Sequence, residues 1–215
     1  LDGSKSLLLR LPALSPSESD IVVDSMINVL GPFETGGKSI ETIGPTLGAE
    51  LFRTTLISLL AAFSGVAIYI SIRFDRKFSL YALLALVHDL IIVAGVFSWL
   101  GIILDVEVNS LFAVALLTIA GYSVNDTVVV FDRIREIRKQ ETSLSTKQRI
   151  DLAVSATLTR TIYTSGTTLL PLVALIIFGG STLYWFAIAL AIGVIIGSWS
   201  SIALVPSFLS LNTDN

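Results

Sequence analysis

Long apolar runs alternate with short polar connectors along most of the chain. A helix that crosses a bilayer needs about 20 predominantly apolar residues, and five stretches of the sequence meet that requirement. The fourth stretch is the most polar, because threonines and one arginine occupy its first half. The pattern predicts membrane-spanning helices at residues 54–72, 78–100, 110–131, about 157–178 and 183–209.

The residues before the first span predict part of a small soluble α+β domain. Residues 6–11 favour a strand, and residues 41–48 favour a short strand and turn that lead into the first span. Residues 17–30 carry apolar side chains at helical spacing, with Ser17 as the expected N-cap. Because so few elements bury too little surface to fold alone, we expect residues 1–50 to be the end of a domain. The chain begins at Leu1 rather than Met, so we expect an upstream part, with a further span, to precede it.

Composition assigns the chain to polytopic membrane proteins. It is 53% hydrophobic and 14% charged, with a mean hydropathy of +0.81, whereas soluble domains carry about 25% charged residues. The absence of cysteine excludes disulfides and thiolate metal sites, and a single histidine, His88, excludes a multi-histidine site within the chain. No phosphate-binding loop, nucleophile motif or basic nucleic-acid surface is found. We therefore expect no enzyme activity, no cofactor and no nucleic-acid partner, and work driven by an ion gradient.

The charges of the connectors predict one orientation. Lys and Arg collect in residues 73–77 and 132–139, whereas residues 101–109 and 179–182 contain neither. Short cytoplasmic loops are enriched in these residues. Residues 1–50 are therefore expected outside the cytoplasm and residues 212–215 inside it. The sequence of residues 132–156 predicts a cytoplasmic basic loop followed by an amphipathic helix along the membrane interface. The membrane domain as a whole is predicted to comprise residues 51–211.

Asp126 is the strongest functional candidate, because it lies within the apolar third span. A carboxylate there costs roughly 2.5–3.5 kcal/mol and marks a functional site by default. The alternative is an acid that reaches the cytoplasmic headgroups. Asp126 lies six residues before Asp132, which places it roughly 9 Å inside the cytoplasmic end of the span. The short side chain of aspartate cannot reach the headgroups over that distance. Tyr122 and Asn125 share its polar face, Thr127 follows it, and Gly121 is expected to allow close approach of another helix.

Arg160 is the expected counter-charge of Asp126. The fourth span enters from the side where the third leaves, so the two residues can lie at a similar depth. Thr164 and Thr168 continue the face of Arg160. The alternative is an arginine that extends to the interface, and for the threonines the favoured interpretation is packing.

His88 and Asp89 form a second polar pair, near the middle of the second span. Two interpretations stay open for it: a hydrogen-bonded pair that joins helices, or a direct part in proton relay.

Four blocks of sequence resemble one known family in the same order. Residues 121–136 (GYSVNDTVVVFDRIRE) resemble the signature of the SecF proteins, within the SecD/SecF family of bacterial protein-export membrane proteins. Residues 43–51 (IGPTLGAEL), the His88-Asp89 pair and residues 159–170 (TRTIYTSGTTLL) fit the same family. The match runs over essentially the whole chain.

The resemblance implies a fold, partners and site residues. The fold would be a helical membrane bundle of the resistance-nodulation-division (RND) type, with residues 1–50 ending a ferredoxin-like periplasmic domain. The partners would be SecD, the SecYEG channel with SecA and YajC, translocating preproteins and the lipid bilayer. The location would be the bacterial cytoplasmic membrane, or the thylakoid in a photosynthetic source. The proton-motive force would drive export, with H⁺ or Na⁺ as coupling ion, and Asp126 and Arg160 would conduct protons.

Two alternatives come from other classes. One is a proton-coupled RND exporter of small molecules. The other is an intramembrane aspartyl protease that uses Asp89 and Asp126. Against the protease, we expect the two acids at different depths, Asp89 near mid-membrane and Asp126 nearer the cytoplasm, and the Gly-x-Gly-Asp pattern of such enzymes is missing.

Overall fold

The computed structural model describes residues 9, 11, 14–31 and 45–211. The chain divides into two compact units, residues 1–54 and 55–215. Helix α1, Pro16–Leu30, lies in the first unit. Helix α2, Pro45–Arg73, begins in the first unit and continues into the second. The second unit also contains α3 (Arg76–Leu104), α4 (Ser110–Gln140), α5 (Thr146–Phe178), α6 (Gly180–Trp199), a π-helical segment (Ser200–Leu204) and α7 (Val205–Leu211).

Helix α1 is confirmed, but its cap is not the predicted one. Ser15, rather than Ser17, precedes the first helical residue and accepts a hydrogen bond from the Glu18 amide. The Glu18 carboxylate accepts from the Ser15 amide at 2.8 Å, which completes a capping box. The hydrogen bonds from Ser15 hold the pKa of Glu18 below its ordinary value.

The predicted strands are not found among the described residues. Leu9 and Leu11 have no regular secondary structure, and the rest of residues 6–11 lies outside the described residues. Residues 41–44 also lie outside them, and the segment that follows is helical, because α2 begins at Pro45. The predicted strand and turn over 41–48 are therefore wrong in their second half. The ferredoxin-like domain stays a prediction, as does the cytoplasmic location of residues 212–215, which lie outside the described residues.

In the described part of the chain, five helical segments are long and apolar enough to cross a membrane, as the hydropathy pattern predicts. These segments are Phe52–Arg73, Arg76–Leu104, Ser110–Gln140, Thr146–Phe178 and Gly180–Leu211. The third of them is central to the bundle, because 56% of its most apolar window is buried, compared with 6% for the first. Asp126 therefore lies on the helix that other helices surround.

The connector over residues 132–156, which the sequence predicts as a cytoplasmic loop before an interfacial helix, is mostly helical. Helix α4 continues to Gln140, because Ile134 and Ile137 are buried against the bundle. Its last turn carries Arg138 and Lys139, where positive charge favours a helix end.

The predicted interfacial helix is not a separate element. Helix α5 begins at Thr146, behind a capping box formed by Ser145 and Gln148, and runs without a break into the fourth span. Ile150 and Ala153 are buried in the hydrophobic core. The apolar face of this segment therefore packs against protein.

Candidate functional site

Asp126 lies in the interior of the bundle and is held by a single long hydrogen bond. Its residue is 3% exposed, and Ser198 Oγ donates to its Oδ2 at 3.3 Å. A buried charge ordinarily has several close partners. Asp126 therefore has fewer hydrogen-bond partners than its burial would lead one to expect.

A serine-rich segment at the end of α6, Ser198–Ser201, connects the two buried acids. Ser198 donates to Asp126, and Ser200 Oγ donates to Asp89 Oδ2 at 2.7 Å. Ser201 Oγ lies 3.0 Å from Thr127 Oγ1. The π-helical segment begins within this serine-rich segment, at Ser200, and single π turns inside α-helices are frequent at functional sites.

Sequence reasoning missed this segment. Its signal was present, because three of its four residues are serines within an otherwise apolar span. Hydroxyl residues are common as packing residues in membrane helices, so their number alone does not separate a site from packing.

Asp89 is the better supported of the two acids. It is fully buried and accepts hydrogen bonds from Ser123 Oγ at 2.6 Å and Ser200 Oγ at 2.7 Å. His88 Nδ1 lies 3.0 Å from its other oxygen. These contacts join α3, α4 and the end of the last span, so the helix-joining interpretation of His88 and Asp89 has direct structural support.

The difference in membrane depth between the two acids stays a prediction, but their serine donors are close neighbours. Asp89 and Asp126 each accept from the serine-rich segment, at positions two residues apart. Two residues of helix correspond to roughly 3 Å along its axis. Each acid nevertheless has its own serine, and among the described residues no hydrogen bond joins the two carboxylates directly.

Arg160 is exposed and lines a cleft between α4 and α5. The same cleft is lined by Val129, which follows Asp126 by three residues on α4. Over the described part of the chain, however, no ion pair within 4.0 Å joins Arg160 to Asp126 or to another acid. The cleft has a volume of about 300 Å³. Its lining consists of Val129, Asp132, Arg133, Glu136, Ala156, Thr157 and Arg160.

The supporting residues divide into two groups. Tyr122 and Thr127 point into the bundle, where the Tyr122 hydroxyl donates to Ser165 Oγ at 3.3 Å. Gly121 and Asn125 are exposed, and no atom lies within 4 Å of where a Cβ of Gly121 would stand. Among the residues that the structure describes, no other helix therefore makes the close approach predicted at Gly121.

Thr164 and Thr168 donate to carbonyl oxygens of their own helix, those of Arg160 and Thr164. Such bonds satisfy a hydroxyl without a tertiary partner. In the described ranges, no cluster of three or more His, Asp or Glu side chains has the spacing of a metal site.

Comparisons with known proteins give one consistent result. The family model of protein export membrane protein SecD/SecF, C-terminal, matches residues 22–213. The chain is 77% identical to protein translocase subunit SecF of Prochlorococcus marinus, over 100% of this chain and 67% of that protein. It is 43% identical to protein translocase subunit SecF of Synechocystis, over 94% of this chain and 64% of that protein.

The fold is similar to a solved structure of the same family. The crystal structure of SecDF from Thermus thermophilus, a translocon-associated membrane protein, matches with a TM-score of 0.83 at 37% identity. The match covers 96% of this chain and 28% of that one. The chain spans about two thirds of the length of the curated relatives it matches. By sequence and by fold, it belongs to the SecD/SecF family of protein-export membrane proteins, among the SecF members.

Proposed function

We propose that this chain, as part of a SecF subunit, assists the translocation of preproteins across the bacterial cytoplasmic membrane and uses the proton-motive force to do so. The observation that carries the proposal is the state of Asp126, which is buried with one long hydrogen bond while Arg160 lines the cleft beside it. An ionisable group inside a membrane bundle is costly and is retained for function. The names of its relatives, protein translocase subunits, supply the process.

The proposed mechanism is a protonation switch. An ionised Asp126 attracts the Arg160 guanidinium, and a protonated Asp126 releases it. Since Arg160 lies on α5 and Asp126 on α4, pairing and release change the contact between these helices. One charge that crosses 100 mV supplies about 2.3 kcal/mol, enough to shift a two-state ratio by about 50-fold. Repeated cycles convert this bias into movement of the domain outside the membrane.

The partners are proposals of the same kind. SecD would complete the membrane complex, since SecDF of Thermus thermophilus matches this chain over only 28% of its own length. SecYEG, with SecA and YajC, would supply the channel. The predicted orientation, with the N-terminal residues outside and the C-terminus in the cytoplasm, places the cleft of Arg160 on the cytoplasmic side.

The test measures preprotein translocation in inverted membrane vesicles that contain the full-length chain and its SecD-type partner. Asp126→Asn removes the charge but keeps the shape, so we expect loss of the gradient-stimulated increment. Arg160→Ala should remove the same increment, because it removes the counter-charge. Asp151→Asn is the matched control, since Asp151 is an exposed acid on α5. Undiminished stimulation in Asp126→Asn would overturn the proposal.

A further inference from the structure

A continuous chain of hydroxyl groups ends at Asp126. Tyr122 OH donates to Ser165 Oγ at 3.3 Å. Ser165 Oγ lies 2.5 Å from Ser198 Oγ, and Ser198 Oγ donates to Asp126 Oδ2 at 3.3 Å. This series of hydroxyl groups leads from α4 to α5 and α6 and returns to α4 at Asp126. All three links are within hydrogen-bonding distance, so these hydroxyls form one connected path.

Ser165 and Ser198 differ in their contacts from three threonines that lie close to Ser165 on α5. Thr164, Thr167 and Thr168 bond carbonyl oxygens of their own helix. Ser165 and Ser198 have such a bond as well, to the carbonyls of Thr161 and Val194, but each also contacts a hydroxyl of another helix. Ser198 is buried and Ser165 is half-buried. Hydroxyls with two alternative acceptors can switch between them by rotation.

The path leads away from the cleft of Arg160. Tyr122 precedes Asp126 by one turn, on the side of the Ser110 end of α4. On α5, which runs in the opposite direction, Ser165 lies beyond Arg160 by more than one turn toward the same side. Arg160, Asp132 and Glu136 line the cleft on the other side of Asp126. Asp126 therefore stands between a hydroxyl path on one side and a charged cleft on the other.

We propose that Tyr122, Ser165 and Ser198 relay protons between the Ser110 side of the bundle and Asp126. The inference rests on the proposed function, because it assigns the route by which Asp126 is loaded. A proton binds the Tyr122 oxygen, the Tyr122 proton moves to Ser165, the Ser165 proton moves to Ser198, and the Ser198 proton moves to Asp126 Oδ2. Every O–H bond that breaks is replaced by one that forms, so the hydroxyls end neutral and the carboxylate becomes a carboxylic acid.

The relay needs a reset step, and the structure supplies the acceptors for it. After transfer, each serine hydroxyl points back along the path. Rotation toward the Thr161 and Val194 carbonyls, at 2.7 and 2.8 Å, gives each hydroxyl an intermediate position with its hydrogen bond kept. Release of the proton from Asp126 then occurs on the side of the Arg160 cleft.

The test measures proton entry into proteoliposomes that contain the full-length chain with its SecD-type partner and an internal pH-sensitive dye. Tyr122→Phe and Ser165→Ala each break the path, so we expect entry to fall by at least about 10²-fold, the usual worth of a positioned proton transfer. Ser165→Thr retains a hydroxyl and should restore entry. Thr167→Val is the matched control on α5, because that hydroxyl bonds only its own helix; its flux should be unchanged.

A second measurement separates a relay from a packing role. A carbodiimide modifies protonated carboxyl groups, and peptide mapping identifies the modified acid. In the parent protein, acid on the Ser110 side should accelerate modification of Asp126. In Tyr122→Phe that dependence should vanish, whereas the dependence on acid at the cleft side should persist. A packing role would alter both dependences together, and that result would overturn the relay.

The outcomes distinguish the relay from the proposed function. If Asp126→Asn abolishes proton entry while Tyr122→Phe and Ser165→Ala keep the parent rate, the relay is overturned and the function of Asp126 stands. If Asp126→Asn keeps the parent rate, the proposed function fails, and the relay fails with it.

Discussion

The two buried acids differ in how their oxygens are satisfied. Asp89 has two short hydrogen bonds from serines and a third contact from His88. Asp126 has one long bond. Because removal of a buried acceptor leaves its donors unsatisfied, the number of donors predicts how much each acid contributes to stability. We therefore expect Asp89 to hold helices together, whereas Asp126 is the acid proposed to change its protonation state.

This difference predicts the effect of Asp89→Ala. Ser123 loses its acceptor in a buried site, whereas Ser200 keeps the Gly197 carbonyl at 3.1 Å. The free energy of unfolding should therefore fall by roughly 1–3 kcal/mol. The measurement is unfolding of the purified full-length chain in detergent. Asp132→Ala is the control, since its pair with Arg73 at 3.2 Å is nearly half exposed and should contribute under about 1 kcal/mol. Equal losses in the two variants would contradict the anchoring role.

The sequence predicted the individual acids better than their surroundings. Asp126, Asp89 and His88 stand out because polar groups are rare in apolar runs. The hydroxyl partners Ser165, Ser198 and Ser200 did not stand out, because serine is inexpensive in a membrane helix and its contacts depend on which helices are neighbours. The interaction of Arg160 with Asp126 was predicted as a pair, whereas the structure places the two near each other without an ion pair.

At the scale of elements, hydropathy located the spans but not the ends of the helices. Apolar windows end where polar residues begin, yet α4 continues to Gln140 and α5 begins already at Thr146. Charged residues are compatible with both a loop and a helix. The burial of residues such as Ile137 and Ile150 stabilises the helical conformation of these segments. Because that burial depends on the neighbouring helices, the sequence alone does not predict it.

The glycines show the same limit, because sequence alone does not predict which of them contacts another helix. The sequence predicted a close helix approach at Gly121, but the structure has it at Gly197, where a Cβ would lie 3.1 Å from Ser123 Cβ and 3.6 Å from Asp89 Oδ2. Both glycines lie in apolar spans, so sequence alone does not rank them. Gly197 is what allows the end of α6 to approach Ser123 on α4.

Gly197→Ala is therefore expected to destabilise the bundle. The added methyl group forces α4 and α6 apart, which costs about 1–3 kcal/mol in a packed interior, and a lower thermal midpoint of the purified full-length chain would show it. Gly121→Ala is the matched control, because its Cβ meets nothing within 4 Å. Its helix should gain up to about 1 kcal/mol from propensity. The reverse order of stability would refute this account of the helix contact.

At the scale of the whole molecule, Asp126 is a buried acid that has polar groups on two sides. The hydroxyl path approaches Asp126 from the Ser110 side of α4, and the Arg160 cleft lies on the other side. This arrangement suits a group that is loaded from one side and unloaded to the other. Composition predicted the class of protein, and the apolar run around Asp126 predicted the acid. The two-sided arrangement could not be predicted from the sequence, because it depends on contacts between α4, α5 and α6.

The most direct test measures proton entry and preprotein export together, in one preparation of vesicles with an imposed proton gradient. We expect Asp126→Asn to reduce both to the level found without a gradient, while Asp151→Asn retains both. Gradient-driven export that persists at the parent rate in Asp126→Asn would contradict the claim that Asp126 couples proton entry to export.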